Sequence, residues 1–131
     1  MFLLDTDTCI DVLRGRRNVL RKLQASSPDD CAVSSITVFE LYAGTLLSAH
    51  PGRERVKVER FLDQLSVIAF DRVAAQHAAN IRVELQRNGS TIGAYDLLIA
   101  AEAMRSGLTL VSSNEREFGR IPSLRLESWR G

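Results

Sequence analysis

A chain of 131 residues with 45% apolar and 25% charged side chains suits one domain with a real core, and excludes disordered and fibrous classes. A formal net charge of +1 gives no global pull toward nucleic acid, although fifteen of the seventeen basic residues are arginine, whose fork matches phosphate well. Cys9 and Cys31 stand alone, as do His50 and His77; this excludes a zinc spacing and points to a reducing compartment, and with no signal-peptide pattern or membrane-length apolar run the expected location is the cytoplasm.

The first element is Phe2-Leu3-Leu4, an apolar run that stops at Asp5-Thr6-Asp7. It reads as a buried strand ending at an acidic edge. Thr8 to Leu13 is predicted as a short helix capped by Thr6 or Asp7 and broken by Gly15. Asn18 to Ala25 follows as a second helix, and Ser26 to Asp30 as a loop. Cys31 to Ser34 reads as a strand, and Ser35 as the cap of a strong helix from Ile36 to Ala49. Glu54 to Leu65 is a further helix with Val56, Phe61 and Leu65 inward. Ser66 to Phe70 is a strand, and Asp71 caps a long helix to Arg87 with the apolar stripe Ala74, Ala78, Ile81 and Leu85. A helix from Tyr95 to Ser106 stops at Gly107. Leu108 to Ser112 is a strand, Glu115 to Gly119 a helical turn, and Leu124 to Glu127 a last strand. Strands alternating with helices imply an α/β fold: a central parallel sheet with helices on both faces, in one domain spanning residues 1–131.

Several acids lie where a plain fold has no use for them. Asp5 sits beyond the carboxyl end of a strand, where open parallel sheets bind ligands. Glu40 has Ile36, Thr37, Ala43 and Gly44 as helical neighbours, on or beside the buried face. Asp96 leads into Leu97-Leu98-Ile99-Ala100-Ala101, either as a first-turn acid or as a functional one. Beyond Leu110-Val111-Ser112-Ser113 come Asn114, Glu115 and Glu117, of which Glu117 is the candidate for the site. If these four acids converge, they repel: two carboxylates about 4 Å apart cost about 4 kcal/mol at an effective dielectric of about 20. A divalent cation relieves that repulsion, and all-oxygen ligation suits Mg²⁺ or Mn²⁺. Leu46, Leu47, Val56 and Phe61 are either core or a groove for an amphipathic partner helix.

The runs Leu3-Leu4-Asp5-Thr6-Asp7, Ser35 to Leu41, Asp96 to Ala101 and Leu110 to Phe118 together resemble the successive motifs of PIN-domain ribonucleases. They are most similar to the VapC toxins of toxin–antitoxin pairs. The likeness covers nearly the whole chain, including Asn88 to Gly93 and the tail from Arg120 to Trp129. It implies a PIN-like three-layer α/β/α fold and an endoribonuclease dependent on Mg²⁺ or Mn²⁺. The implied substrates are structured RNAs such as tRNA or rRNA. The implied partners are a cognate antitoxin, whose tail fills the acidic groove, and a second copy of the chain in a homodimer. By position, Asp5, Glu40 and Asp96 match the family's acidic triad, and all four acids including Glu117 are candidate catalytic and metal-holding residues. Two departures stand out: Asp7 where Asn is usual, and a fourth acid, variable in the family, for which Asn114 occupies one candidate position and Glu117 another, with Glu115 beside them. Thr6 and Ser112 offer hydroxyls to a phosphate or a carboxylate, or serve the fold alone.

Two other readings compete. Leu3-Leu4-Asp5-Thr6-Asp7 mimics the nucleophile motif of haloacid-dehalogenase-type phosphatases. That class needs a late lysine, and the only lysines are Lys22 and Lys57. The remaining alternative is a catalytically inactive module that binds RNA or an antitoxin.

Overall fold

In the computed structural model, which describes all 131 residues, the short apolar runs form one sheet. Its strands are β1 (Phe2–Leu4), β2 (Cys31–Ser34), β3 (Ser66–Ile68), β4 (Thr109–Val111) and β5 (Leu126–Glu127). They lie in the order β3-β2-β1-β4-β5, and every neighbouring pair is parallel. The helices are α1 (Thr6–Leu13), α2 (Arg17–Ala25), α3 (Ser35–Leu47), α4 (Pro51–Leu62), α5 (Arg72–Arg87), α6 (Ala94–Ser106) and the single turn α7 (Glu115–Phe118).

Alternation along the strands builds two cores, one on each face. Leu3, Ala32 and Leu110 are register neighbours and face α5, α6 and α7, where they meet Ile81, Leu85, Ile99, Ala103 and Phe118. Leu4, Val33 and Val111 point the other way, into Cys9 of α1, Val19 of α2, Leu41 of α3 and Val58, Phe61 and Leu62 of α4. A strand covered on both faces reads as continuous apolar sequence, which is why Phe2-Leu3-Leu4 shows no polar alternation. Each fully buried Leu, Val or Phe is worth about 1.5–3 kcal/mol over its exposed state, so these two layers dominate the stabilisation. The three-layer α/β/α arrangement is the one expected.

The tail closes the second core. Trp129 packs edge-on against Phe2 with ring centroids 5.5 Å apart, and its indole N–H donates to Glu127 Oε2 at 2.8 Å. Arg130 then forks onto Asp11 of α1 at 2.8 and 3.0 Å, while its carbonyl accepts from Asn18 of α2 at 2.9 Å. Cys9 and Cys31 are free thiols with no exposed surface.

Local departures from the sequence reading have simple causes. The cap of α1 is Asp5 itself, not Thr6 or Asp7: its Oδ1 accepts from the Thr8 N–H at 2.7 Å. Ser34, rather than Ser35, caps α3 by accepting from Ile36, and the Ser35 hydroxyl accepts from the Phe70 N–H at 3.1 Å. α4 starts at Pro51 because proline fits the first turn, where its missing N–H costs nothing. Asp71 caps α5 as expected. Phe61 is core, at 6% exposure, whereas Leu46, Leu47 and Val56 are exposed at 73%, 88% and 49%.

Candidate functional site

From β1 the chain steps outward to β2 and β3, then returns to the other side of β1 for β4 and β5. The reversal lies between β1 and β4. In open parallel sheets the crevice beyond that point is where ligands bind. Asp5 follows the last residue of β1, and its N–H donates to Val111 at the end of β4 at 3.0 Å. Thr8 ties the same junction by donating to the Val111 carbonyl at 3.0 Å. α3 rises from the end of β2 and carries Glu40, while Asp96 arrives in the first turn of α6. Beyond β4, Asn114 caps the turn that carries Glu117.

Each acid is held differently. Asp5 is 2% exposed; burial raises its pKa, and Asp7 adds to the rise. The Thr8 N–H and the neighbouring Ser112 hydroxyl oppose it. Glu40 Oε1 accepts from the Thr6 hydroxyl at 2.7 Å, and that hydroxyl is also hydrogen-bonded to Thr37 at 3.1 Å. Glu117 is fixed at both oxygens: Oε1 accepts from the Gly93 N–H at 2.9 Å and Oε2 from the Asn114 side-chain amide at 2.7 Å. Those bonds lower its pKa, Asn114 contributing most. Asn114 thus serves Glu117, while Glu115 and Asp7 are exposed at the rim.

Asp96 is the acid on which the charges of the others bear most. It is half-buried, and its pKa is pushed up to about 6, first by burial and then by the charges of Asp5, Glu117, Asp7 and Glu40. Its carboxylate and that of Glu117 also flank Gly93, where a Cβ would stand 3.8 Å from Asp96 Oδ2 and 4.0 Å from Glu117 Oε1. No lysine or arginine forms a salt bridge with any of the four acids. The ion pairs lie elsewhere: Asp11 with Arg130 and Arg16, Asp71 with Arg105, Glu59 with Arg55, and Glu54 with Lys57. Lys57 pairs with Glu54 at 3.5 Å and Lys22 lies on α2, and neither forms a salt bridge with Asp5, as the phosphatase reading would require of its lysine.

As the side chains stand, no group of three or more His, Cys, Asp or Glu residues is close enough to hold a metal ion by itself. A hydrated cation does not need that cage. Mg²⁺ keeps several waters and takes one or two carboxylates directly. Asp5 and Asp96, which form no salt bridge, are the carboxylates that would take such an ion, with its waters reaching the other acids.

Two further features surround the acids. A cleft of about 530 Å³ opens between α1, α3 and α4, with Glu40, Arg14 and Lys57 among its lining residues. Phe39 and Tyr95 pack edge-on with centroids 5.4 Å apart. Sequence reasoning missed this pair and the Thr6–Glu40 bond. Adjacency to Glu40 and Asp96 was the only available signal for the rings.

A model of the PIN domain matches residues 2–124. The chain is 41% identical over 128 residues to the tRNA(fMet)-specific endonuclease VapC of Salmonella typhimurium, covering 98% of this chain and 97% of that one. It is 41% identical over 129 residues to ribonuclease VapC2 of Haemophilus influenzae, with coverage of 98% and 97%. Among solved structures, a chain of DNA-bound VapBC from Salmonella typhimurium superposes with a TM-score of 0.93 at 40% identity, covering 98% and 97% of the two chains.

Proposed function

Because the chain belongs to the PIN-domain family and, within it, to the VapC toxin endoribonucleases, we propose that its acid pocket cuts structured RNA with Mg²⁺ or Mn²⁺ as resident cofactor. The observation that carries this reading is Asp96, a half-buried carboxyl under the charge of four other acids and without a basic partner. Such a group either stays protonated or recruits a cation.

Asp5 and Asp96 hold the ion, one at the end of β1 and the other at the start of α6. When bound, the ion supplies charge to offset the acids and the phosphate, and makes a nearby water more acidic. Glu40, fixed by Thr6, orients the attacking water and accepts its proton. Glu117, locked by Asn114 and Gly93, completes the negative wall. Arg14 and Lys57 in the adjoining cleft hold backbone phosphates, which makes binding salt-dependent.

The substrate we infer is a tRNA or rRNA loop. The Salmonella relative is named for tRNA(fMet), which makes that RNA the first to test. The partner we infer is a cognate antitoxin, by likeness to the VapBC complex. Leu46, Leu47 and Val56, exposed on α3 and α4, offer it an apolar surface. We also infer a homodimer, which sedimentation with and without antitoxin checks.

Purified protein is incubated with total cellular RNA in Mg²⁺, Mn²⁺ or EDTA, and fragment ends are mapped. Discrete cleavage with an ion and none in EDTA is expected. Equal cleavage in EDTA removes the cofactor; no cleavage under any condition leaves an inactive binding module.

A further inference from the structure

The chain has five Phe, two Tyr and one Trp, and only Phe39 and Tyr95 among them are exposed, at 52% and 48%. The other exposed large apolar residues are aliphatic or Met1. Each of the two rings immediately precedes a site acid, Glu40 on α3 and Asp96 on α6. Successive helical residues are turned by about 100°, so each ring lies on the flank of the acid pocket rather than inside it. The rings meet edge-on at 65°, and that geometry leaves at least one ring face uncovered. Unpaired RNA bases are splayed out and stacked on aromatic faces of this kind.

We propose that Phe39 and Tyr95 form a stacking platform for an unpaired base of the RNA beside the scissile phosphate. The proposal rests on the endoribonuclease reading and deepens it. The acids are indifferent to base identity and to pairing, whereas the platform admits only a nucleotide already free of its helix. It therefore selects loops over duplex stems. Both rings are needed as aromatic faces; the Tyr95 hydroxyl is not.

The test uses the Asp96→Asn protein, expected to bind without cutting, and loop RNAs carrying 2-aminopurine at successive positions. Binding should quench the probe at one position. Phe39→Leu with Tyr95→Leu preserves apolar bulk but removes the rings; it should abolish the quench and weaken binding about 5- to 150-fold. Tyr95→Phe should keep both within about threefold. Sedimentation should show the same oligomeric state for all variants, with unchanged melting. Unaltered affinity and quench in the double-leucine protein would overturn the platform. So would a change of oligomeric state on losing the rings, which would assign them to contact with a second copy of the chain. Failure of the unsubstituted protein to cleave any RNA is a separate result: it removes the endoribonuclease reading itself.

Discussion

The two ends of α1 carry buried acids of the same chemical type with opposite fates. Asp11, near the end of the helix, is 7% exposed and meets the Arg130 fork and, at 3.7 Å, Arg16. The Arg130 hydrogen bonds hold its carboxyl below the usual range. Asp5, at the start, is 2% exposed and forms no salt bridge; burial pushes its carboxyl up. One end satisfies its charge within the chain. The other has no salt bridge within the chain, which is what the proposed ion would supply. Burial alone therefore does not tell these two acids apart; the ion pair at Asp11 does.

The largest expected effect lies at the unsatisfied end. Asp5→Ala or Asp96→Asn should reduce RNA cleavage by more than about 100-fold, because outer-shell partners alone are worth about 10–100-fold. Circular dichroism should show the fold intact, and full activity in either variant would break the contrast. Next comes the support for Glu40: Thr6→Val should lower cleavage about 10-fold while leaving the melting temperature within a few degrees.

The satisfied end should behave the other way. Arg130→Ala should leave cleavage nearly unchanged and cost about 1–3 kcal/mol in urea unfolding, since it deprives a buried carboxylate of a charged hydrogen-bond partner. Asp11 has a lowered pKa in the fold, so its contribution is present above the ordinary aspartate value of about 3.9 and is lost as pH falls through the lower folded value. The stability gap between the two proteins should close in acid.

For Asp96 the sign reverses. Its folded pKa, raised to about 6, favours the neutral form. That stabilisation is full below about pH 3.9 and is lost as pH rises through about 6. Metal-free protein should lose ~1–2 kcal/mol across that window, less than a wholly enclosed group because water screens a half-buried one. Asp96→Asn should flatten the slope in urea titrations at stepped pH, and cleavage by the unsubstituted protein should rise through the same range.

The candidate site was legible wherever a local pattern was broken. An apolar strand running into Asp5, and Glu40 and Asp96 among apolar helical neighbours, are anomalies visible without coordinates. Glu117 was legible only by its place beyond β4, and the sequence left Asn114 open as its rival. The structure makes Asn114 its clamp. Pairings between distant elements were not legible. Thr6 reaches Glu40 across 34 positions and Arg130 reaches Asp11 across 119, and both depend on sheet order and helix placement rather than on periodicity. The layered fold was readable because strands and helices alternate in apolar runs. The helix starts were less so, as Pro51 and Asp5 show, because a breaker or an acid can equally be a first-turn residue or a cap.

Cys9 offers an independent readout of the site. It lies on α1 with no exposed surface, and its thiol is pushed well above the ordinary range by burial and then by the charge of Asp5. In that state it is a poor nucleophile, and iodoacetamide cannot reach it while the helix lies on the sheet. Its alkylation rate therefore acts as a clock for local opening of the segment that begins at Asp5. Comparing that rate with and without added Mg²⁺ measures whether ion binding fastens this segment, with no RNA in the tube.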